Sequence, residues 1–236
     1  MKGKLFVKRF LDIVFSVLAL LILWPLLLII AAAVKIDSKG PAIFKQDRLG
    51  KDGKVFKMYK FRSMVVDAEK TGAGLFNYEG DPRVTKVGRF LRKTSLDELP
   101  QLVNILRGDL SFVGPRPPVT NELGDFELLN RKFRRRFDVK PGITGFAQVQ
   151  GRNELPWNIK VDYDNQYIDK FEKYGVFFDI AIIFETVKSV LAQKNIYEER
   201  PENAEDDAQA ALFAEQEVIR MAQAPLPEDE KELTNV

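Results

Sequence analysis

The 236-residue chain contains no cysteine and no histidine. Without cysteine there is no disulfide framework, no zinc–thiolate centre and no thiol nucleophile. Without histidine the commonest general base and metal ligand are gone, and with them every Ser–His or Cys–His arrangement. Any catalysis has to run on carboxylates, lysine, arginine, hydroxyls or a metal held by oxygen. Net charge is also nearly absent, at +2, but this balance hides an asymmetry. From Glu198 onward there are 12 acidic and 3 basic residues, so the preceding body carries 33 basic and 22 acidic residues, or +11. A basic body points to an anionic partner: phospholipid headgroups, a phosphorylated substrate or nucleic acid.

What is present begins with a long apolar run, "IVFSVLALLILWPLLLIIAAAV", Ile13 to Val34. As a helix it is about 33 Å long, enough to cross a bilayer core. It exceeds the h-region of a secretory signal peptide. Lys8 and Arg9 precede it and Lys35, Lys39, Lys45 and Arg48 follow, so the positive charge does not select one side. Pro25 lies mid-run and removes the bond to the Leu21 carbonyl, which predicts a kink. Two readings stand on these residues: a Pro-kinked spanning helix, and a re-entrant helix with both ends on the cytoplasmic face.

After the membrane segment, "AIFKQ" and "KVFKMYKF" read as a hairpin joined through "DRLGKDG", with lysines presented on one face of the second strand. Residues 63–84 read as an irregular loop or lid. A helix is expected from about Leu96 to Leu106, interrupted by Pro100, then a turn-rich "GDLSFVGPRPP". A further helix is expected from about Glu122 to Phe137, whose Arg131, Lys132, Arg134, Arg135 and Arg136 alternate with apolar residues, as on a membrane surface or a solvated core helix. "VFFDIAIIFETVKSVLA" (176–192) reads as an amphipathic helix rather than a second span. The Ala- and acid-rich tail reads as a mobile helix without chemistry.

The stretch "KTSLDELPQLVNILRGDL" carries the clearest candidate chemistry. Ser95-Leu96-Asp97-Glu98 matches a capping box, an ordinary helix start. Arg92 and Lys93 just upstream, however, make a ready phosphate site. Pro100 is a costly helix residue, and a locally disfavoured residue beside charges often marks function. Further on, Arg116 stands between Pro115 and Pro117, a stiff mount for a guanidinium that matches phosphate oxygens. A rival metal site is Asp162-Tyr163-Asp164, a DxD pattern of glycosyltransferases. A rival of another class is a membrane-anchored adaptor that binds acidic lipid or RNA through the Arg131–Arg136 cluster.

"SKGPAIFKQDRLGKDGKVFKMYKFRSM", "GRFLRKTSLDELPQLVNILRGDLSFVGPRP" and "KPGITGFAQVQGRN" resemble the bacterial sugar transferases, the monotopic polyprenyl-phosphate phosphoglycosyl transferases. The resemblance covers roughly residues 5–197. It implies an α+β, membrane-associated fold: a re-entrant helix broken at Pro25 (1–36), a mainly helical cytosolic catalytic domain with a small hairpin and interfacial helices (37–197), and the acidic tail (198–236). It therefore favours the re-entrant reading. Family members often carry Ser before that proline, where this chain has Trp24.

The implied reaction moves a sugar-1-phosphate from a UDP-sugar to polyprenyl phosphate, usually undecaprenyl phosphate, and releases UMP. This is the first membrane step of surface glycoconjugate synthesis, such as that of exopolysaccharide or O-antigen. By the same resemblance Asp97 is the nucleophile and a ligand of Mg²⁺, Glu98 assists the second half-reaction, and Lys60, Arg92 and Arg116 hold diphosphate or acceptor phosphate. Gln148, Arg152 and Asn153 are polar groups able to read sugar or nucleotide. The implied setting is an anionic phospholipid membrane at the cytoplasmic face of a bacterial inner membrane. No nucleic-acid partner is expected, and a homodimer is compatible with the resemblance.

Overall fold

The computed structural model describes residues 1–71, 80–151, 155–191 and 207–226. It is helix-dominated, with one small antiparallel hairpin and one long apolar N-terminal helix. That helix, α1 (Lys2–Asp37), is a single helical element with Pro25 in its interior. It is long and apolar enough to cross a membrane.

One stripe of α1 packs on the rest of the protein along nearly its whole length. Lys4 donates to the carbonyls of Glu172 and Lys173. Lys8 pairs with buried Asp179 at 2.6 Å, and Arg9 reaches the Leu106 carbonyl at 2.9 Å. Asp12 accepts from the Ser111 hydroxyl and the Phe112 amide. Two to three turns on, the polar pins give way to apolar contact: Leu20 and Leu23 meet Met58, Leu102, Ile105 and Leu110. Ile30 and Val34 then meet Phe61 and Leu91. At the far end the Asp37 carboxylate accepts from the Val87 amide. The spacing of three to four residues is the helical repeat, so one face is docked. The opposite face leaves Phe6, Phe10, Phe15, Leu21, Ile22, Trp24, Leu28 and Ile29 exposed.

The hairpin forms as expected from β1 (Ile43–Leu49) and β2 (Val55–Phe61), paired antiparallel with Lys45 opposite Tyr59. The two lysines of β2 do not share the one face expected of them, because residues three apart point to opposite sides of a strand. Lys57 lies outside with Asp47, whereas Lys60 points inward to Glu98.

Next come α2 (Lys86–Thr94) and α3 (Gln101–Arg107). Gly88 lets α2 approach the β2 exit: a Cβ there would stand 2.0 Å from the Ser63 carbonyl oxygen. Fully buried Asn104 fixes α3 to β2 by donating to the Lys57 carbonyl and accepting from the Tyr59 amide. Short parallel strands β3 (Ser111–Val113) and β4 (Gly142–Thr144) follow a pairing the sequence did not signal.

The expected 122–137 helix is broken. It is a 3-10 turn at Phe126–Leu128, a five-residue α4 (Arg131–Arg135) capped by Asn130, and another 3-10 turn at Arg136–Asp138. Its basic residues are not a free membrane-facing stripe. Lys132 pairs with Asp162, Arg134 with Glu127, Arg135 with Asp169 and Arg136 with Asp164.

After α5 (Phe146–Gly151), helices α6 (Trp157–Tyr174) and α7 (Val176–Leu191) form a hairpin of helices about Gly175. The amphipathic pattern expected of α7 is not what its burial shows: Asp179 and Ile182 are buried, while the apolar Phe177, Ile180, Phe184 and Val187 are exposed. Finally α8 (Asp207–Gln223) docks on the body rather than standing free. Val218 and Ala222 are buried with Leu49, Leu123, Leu129, Phe133 and Val161. Asn130 ties it down, donating to the Met221 and Ala224 carbonyls.

Candidate active site

The Asp97–Glu98 pair does not begin a helix. Ser95 takes the left-handed conformation (φ 57°) as the C-cap of α2 and makes no side-chain cap, so the capping box is not formed. Leu96–Glu98 is a single 3-10 turn, and Pro100 sits just ahead of α3, where its missing N–H costs nothing. The proline thus ends a turn instead of interrupting a helix. The left-handed serine turns the chain so that Asp97 faces inward, 7% exposed.

Three cations converge on this turn from three elements. Lys60 of β2 places Nζ 2.8 Å from Glu98 Oε1. Arg116, from the loop after β3, reaches within 3.6 Å of the same oxygen. Arg92 of α2 donates through Nε to the Ser63 hydroxyl at 2.8 Å, beside the close approach that Gly88 allows. Glu98 therefore engages two of the cations. Among the described residues, the Asp97 carboxylate makes no hydrogen bond or ion pair. Burial pushes Asp97 up to about 6, opposed by Lys60 and reinforced by neighbouring Glu98. Burial likewise lowers Lys60, and Glu98 offsets part of that shift.

These groups line a cavity of about 990 Å³. It brings together six of the sequence-selected residues: Lys60, Arg92, Asp97, Glu98, Arg116 and Gln148. Gln148 donates to the Ile143 carbonyl, and its buried Oε1 has no partner among the described residues. Arg152 and Asn153 lie outside the described residues. Sequence reasoning gave no site role to Arg48, Glu69, Arg136 and Trp157, which also line the cavity, and considered Asp164, another lining residue, only as half of a metal pair. Arg136 had been grouped with the surface cluster, and only its burial on one face of α6 sets it apart.

Asp162 and Asp164 do not make a metal pair. They are two apart on α6, so their side chains diverge by about 200°, and each is taken by its own cation. Among the described residues no cluster of three or more acidic side chains forms. That is compatible with Mg²⁺, which takes one or two carboxylates and completes its shell with water and substrate phosphates. Asp97, without a partner among the described residues, would be free to ligate such an ion, with Glu98 next to it.

The family model that matches residues 3–193 is described as bacterial sugar transferase. The chain belongs to this family. A galactosyl transferase CpsE of Streptococcus agalactiae is 44% identical over 198 residues, covering 79% of this chain and 42% of the relative. The UDP-glucose:undecaprenyl-phosphate glucose-1-phosphate transferase of Escherichia coli is 46% identical over 195 residues, covering 80% of this chain and 41% of the relative. The undecaprenyl-phosphate galactose phosphotransferase of Salmonella typhimurium is 42% identical over 212 residues, covering 81% and 42%. The chain thus spans about two fifths of the length of these sugar transferases. The matched family region ends before α8, whose residues nonetheless complete a core cluster.

Proposed function

We propose that this bacterial sugar transferase moves a sugar-1-phosphate from a UDP-sugar to undecaprenyl phosphate and releases UMP. The observation that carries the reading is a buried, unpartnered Asp97 beside Lys60, Arg92 and Arg116 in one large cavity. Relatives named for phosphate transfer of glucose and galactose to undecaprenyl phosphate support the substrate classes.

In the first half-reaction an Asp97 oxygen bonds to the phosphorus that bears the sugar. The bond from that phosphorus to the bridging oxygen breaks, and UMP leaves with the electron pair. In the second, an oxygen of the acceptor phosphate attacks the same phosphorus and Asp97 departs as carboxylate. A carboxylate is a competent nucleophile here because its attack is resisted mainly by phosphoryl charge, which cations neutralise. Among the described residues Asp97 has no side-chain partner to lose before attacking. Arg116, 42% exposed at its side chain, and Arg92 reach into the cavity to hold diphosphate or acceptor phosphate. Glu98, held by Lys60, is placed to take the acceptor's proton. Bound Mg²⁺, ligated by Asp97, would neutralise phosphoryl oxygens. Gln148 Oε1 is an acceptor for a sugar or nucleotide donor group.

The length and exposed apolar face of α1 support a membrane setting. Both of its ends are pinned to the same body, Lys4 and Lys8 at one and Asp37 at the other. This favours a monotopic, re-entrant placement with the catalytic body at the cytoplasmic face. The exposed apolar faces of α1 and α7 would meet lipid. Incubation with a panel of UDP-sugars, undecaprenyl phosphate and Mg²⁺ tests the reading. UMP release dependent on one sugar supports it. Salt-sensitive lipid or RNA binding without turnover would replace it with the adaptor reading.

A further inference from the structure

The loop that presents Arg116 cannot hold itself. Gly114-Pro115-Arg116-Pro117-Pro118 contains three prolines, so it has few N–H groups and enters no regular element. Its four carbonyls from Pro115 to Pro118 are each taken from outside. Two are held by strand amides: Gly142 N–H donates to Pro115 O at 3.0 Å, and Leu49 N–H to Pro118 O at 3.0 Å. The middle two are held by arginines, Arg136 buried and Arg48 largely so. Arg136 Nη2 donates to Arg116 O at 2.7 Å, and Arg48 Nη1 to Pro117 O at 2.8 Å.

Each arginine is itself fixed by a second anchor. Arg136 lies 2.9 Å from Asp164 and is packed over the rings of Trp157 and Phe137. Arg48 donates through Nε and Nη2 to Gln46 Oε1 and lies 4.0 Å from Glu122. Burial lowers Arg48 to about 10, so it remains charged at neutral pH.

We propose that Arg48 and Arg136 are positioning residues: a two-sided clamp on the Arg116 peptide that aims the Arg116 guanidinium at the donor diphosphate. This rests on the phosphoglycosyl transfer reading above. Arginine suits both places for different reasons. Arg48 serves the carbonyl through Nη1 and its anchor through Nε and Nη2, whereas Arg136 makes both contacts through Nη2 while its flat guanidinium lies over Trp157 and Phe137. A lysine keeps the charge but has neither the fork nor the flat face. The geometry also explains why two cations are buried within reach of the cavity although neither directs its donors solely at a ligand.

The test is a double-mutant cycle read by UDP binding in the presence of Mg²⁺. Arg48→Lys and Arg136→Lys are each made in the unmodified chain and in the Arg116→Ala background. With Arg116 present, each should weaken UDP binding by about three- to tenfold. In the Arg116→Ala background each should change it by less than about twofold, because the residue they aim is gone. Equal losses in both backgrounds, or no loss in either, overturn the clamp. If Arg136→Lys does not fold, Asp164→Asn loosens the same arginine and the same outcomes decide. Failure of the unmodified chain to bind UDP at all would instead sink the donor reading, so the two failures are distinguishable.

Discussion

Lys60 Nζ stands 2.8 Å from Glu98 Oε1 while Asp97, the adjacent residue, has no partner among the described residues. One carboxylate of the pair is neutralised and held; the other is buried, raised and uncommitted. Adjacent acids in different environments can take different roles, and this asymmetry supports the proposal that Asp97 attacks and Glu98 assists.

Asp97→Asn should lower UMP release by roughly a thousandfold or more, because a nucleophile is removed with its shape retained. Asp162→Asn should leave turnover within about twofold, since it removes only a partly exposed ion pair with Lys132. Steady-state UMP assays of the two purified variants check both.

The Asp97 group near 6 sets an acid limb. The attacking form is the carboxylate, so donor kcat/KM should rise with pH through about 6 and level above it. Lys60→Met removes the largest influence that lowers Asp97, so the limb should move to higher pH. A limb unmoved in that variant would separate Lys60 from Asp97.

The same shift predicts a stability cost. Between 3.8 and about 6 the folded protein binds the Asp97 proton more tightly than the unfolded chain, so stability falls as pH rises through that window. Above it the ionised, buried Asp97 costs about 3 kcal/mol. Asp97→Asn should therefore raise Tm by several degrees at pH 7.5 and lose most of that gain at pH 4.5. Thermal melts at the two pH values read this directly.

Because the chain lacks cysteine, single cysteines report topology cleanly. Gly3→Cys and Lys54→Cys should both resist an impermeant maleimide added outside intact spheroplasts, and both react after lysis. Labelling of position 3 alone before lysis would exclude the re-entrant placement.

The hairpin and the apolar helix were legible because each rests on a local signal: β-prone runs joined through Gly50 and Gly53, and an uninterrupted apolar run in α1. The dyad and its cations were legible as motif residues. Their convergence was not, because it depends on Ser95 turning left-handed and on Gly88 admitting α2 against Ser63. The apparent capping box at Ser95 misled for the same reason: local pattern gave way to a tertiary turn. The Arg131–Arg136 stretch looked like a surface helix because spacing cannot show pairing with acids on α6 or at Glu127. The docking of α8 escaped notice because two small apolar contacts, Val218 and Ala222, are faint in an acidic, alanine-rich segment.

The central claim is covalent. The protein is incubated with UDP-sugar labelled at the phosphorus next to the sugar, with Mg²⁺ and no acceptor, then quenched in acid and digested. One equivalent of UMP and label on the peptide containing Asp97 is the predicted result. UMP formed with no label on the protein, or label carried by a different residue, would contradict it.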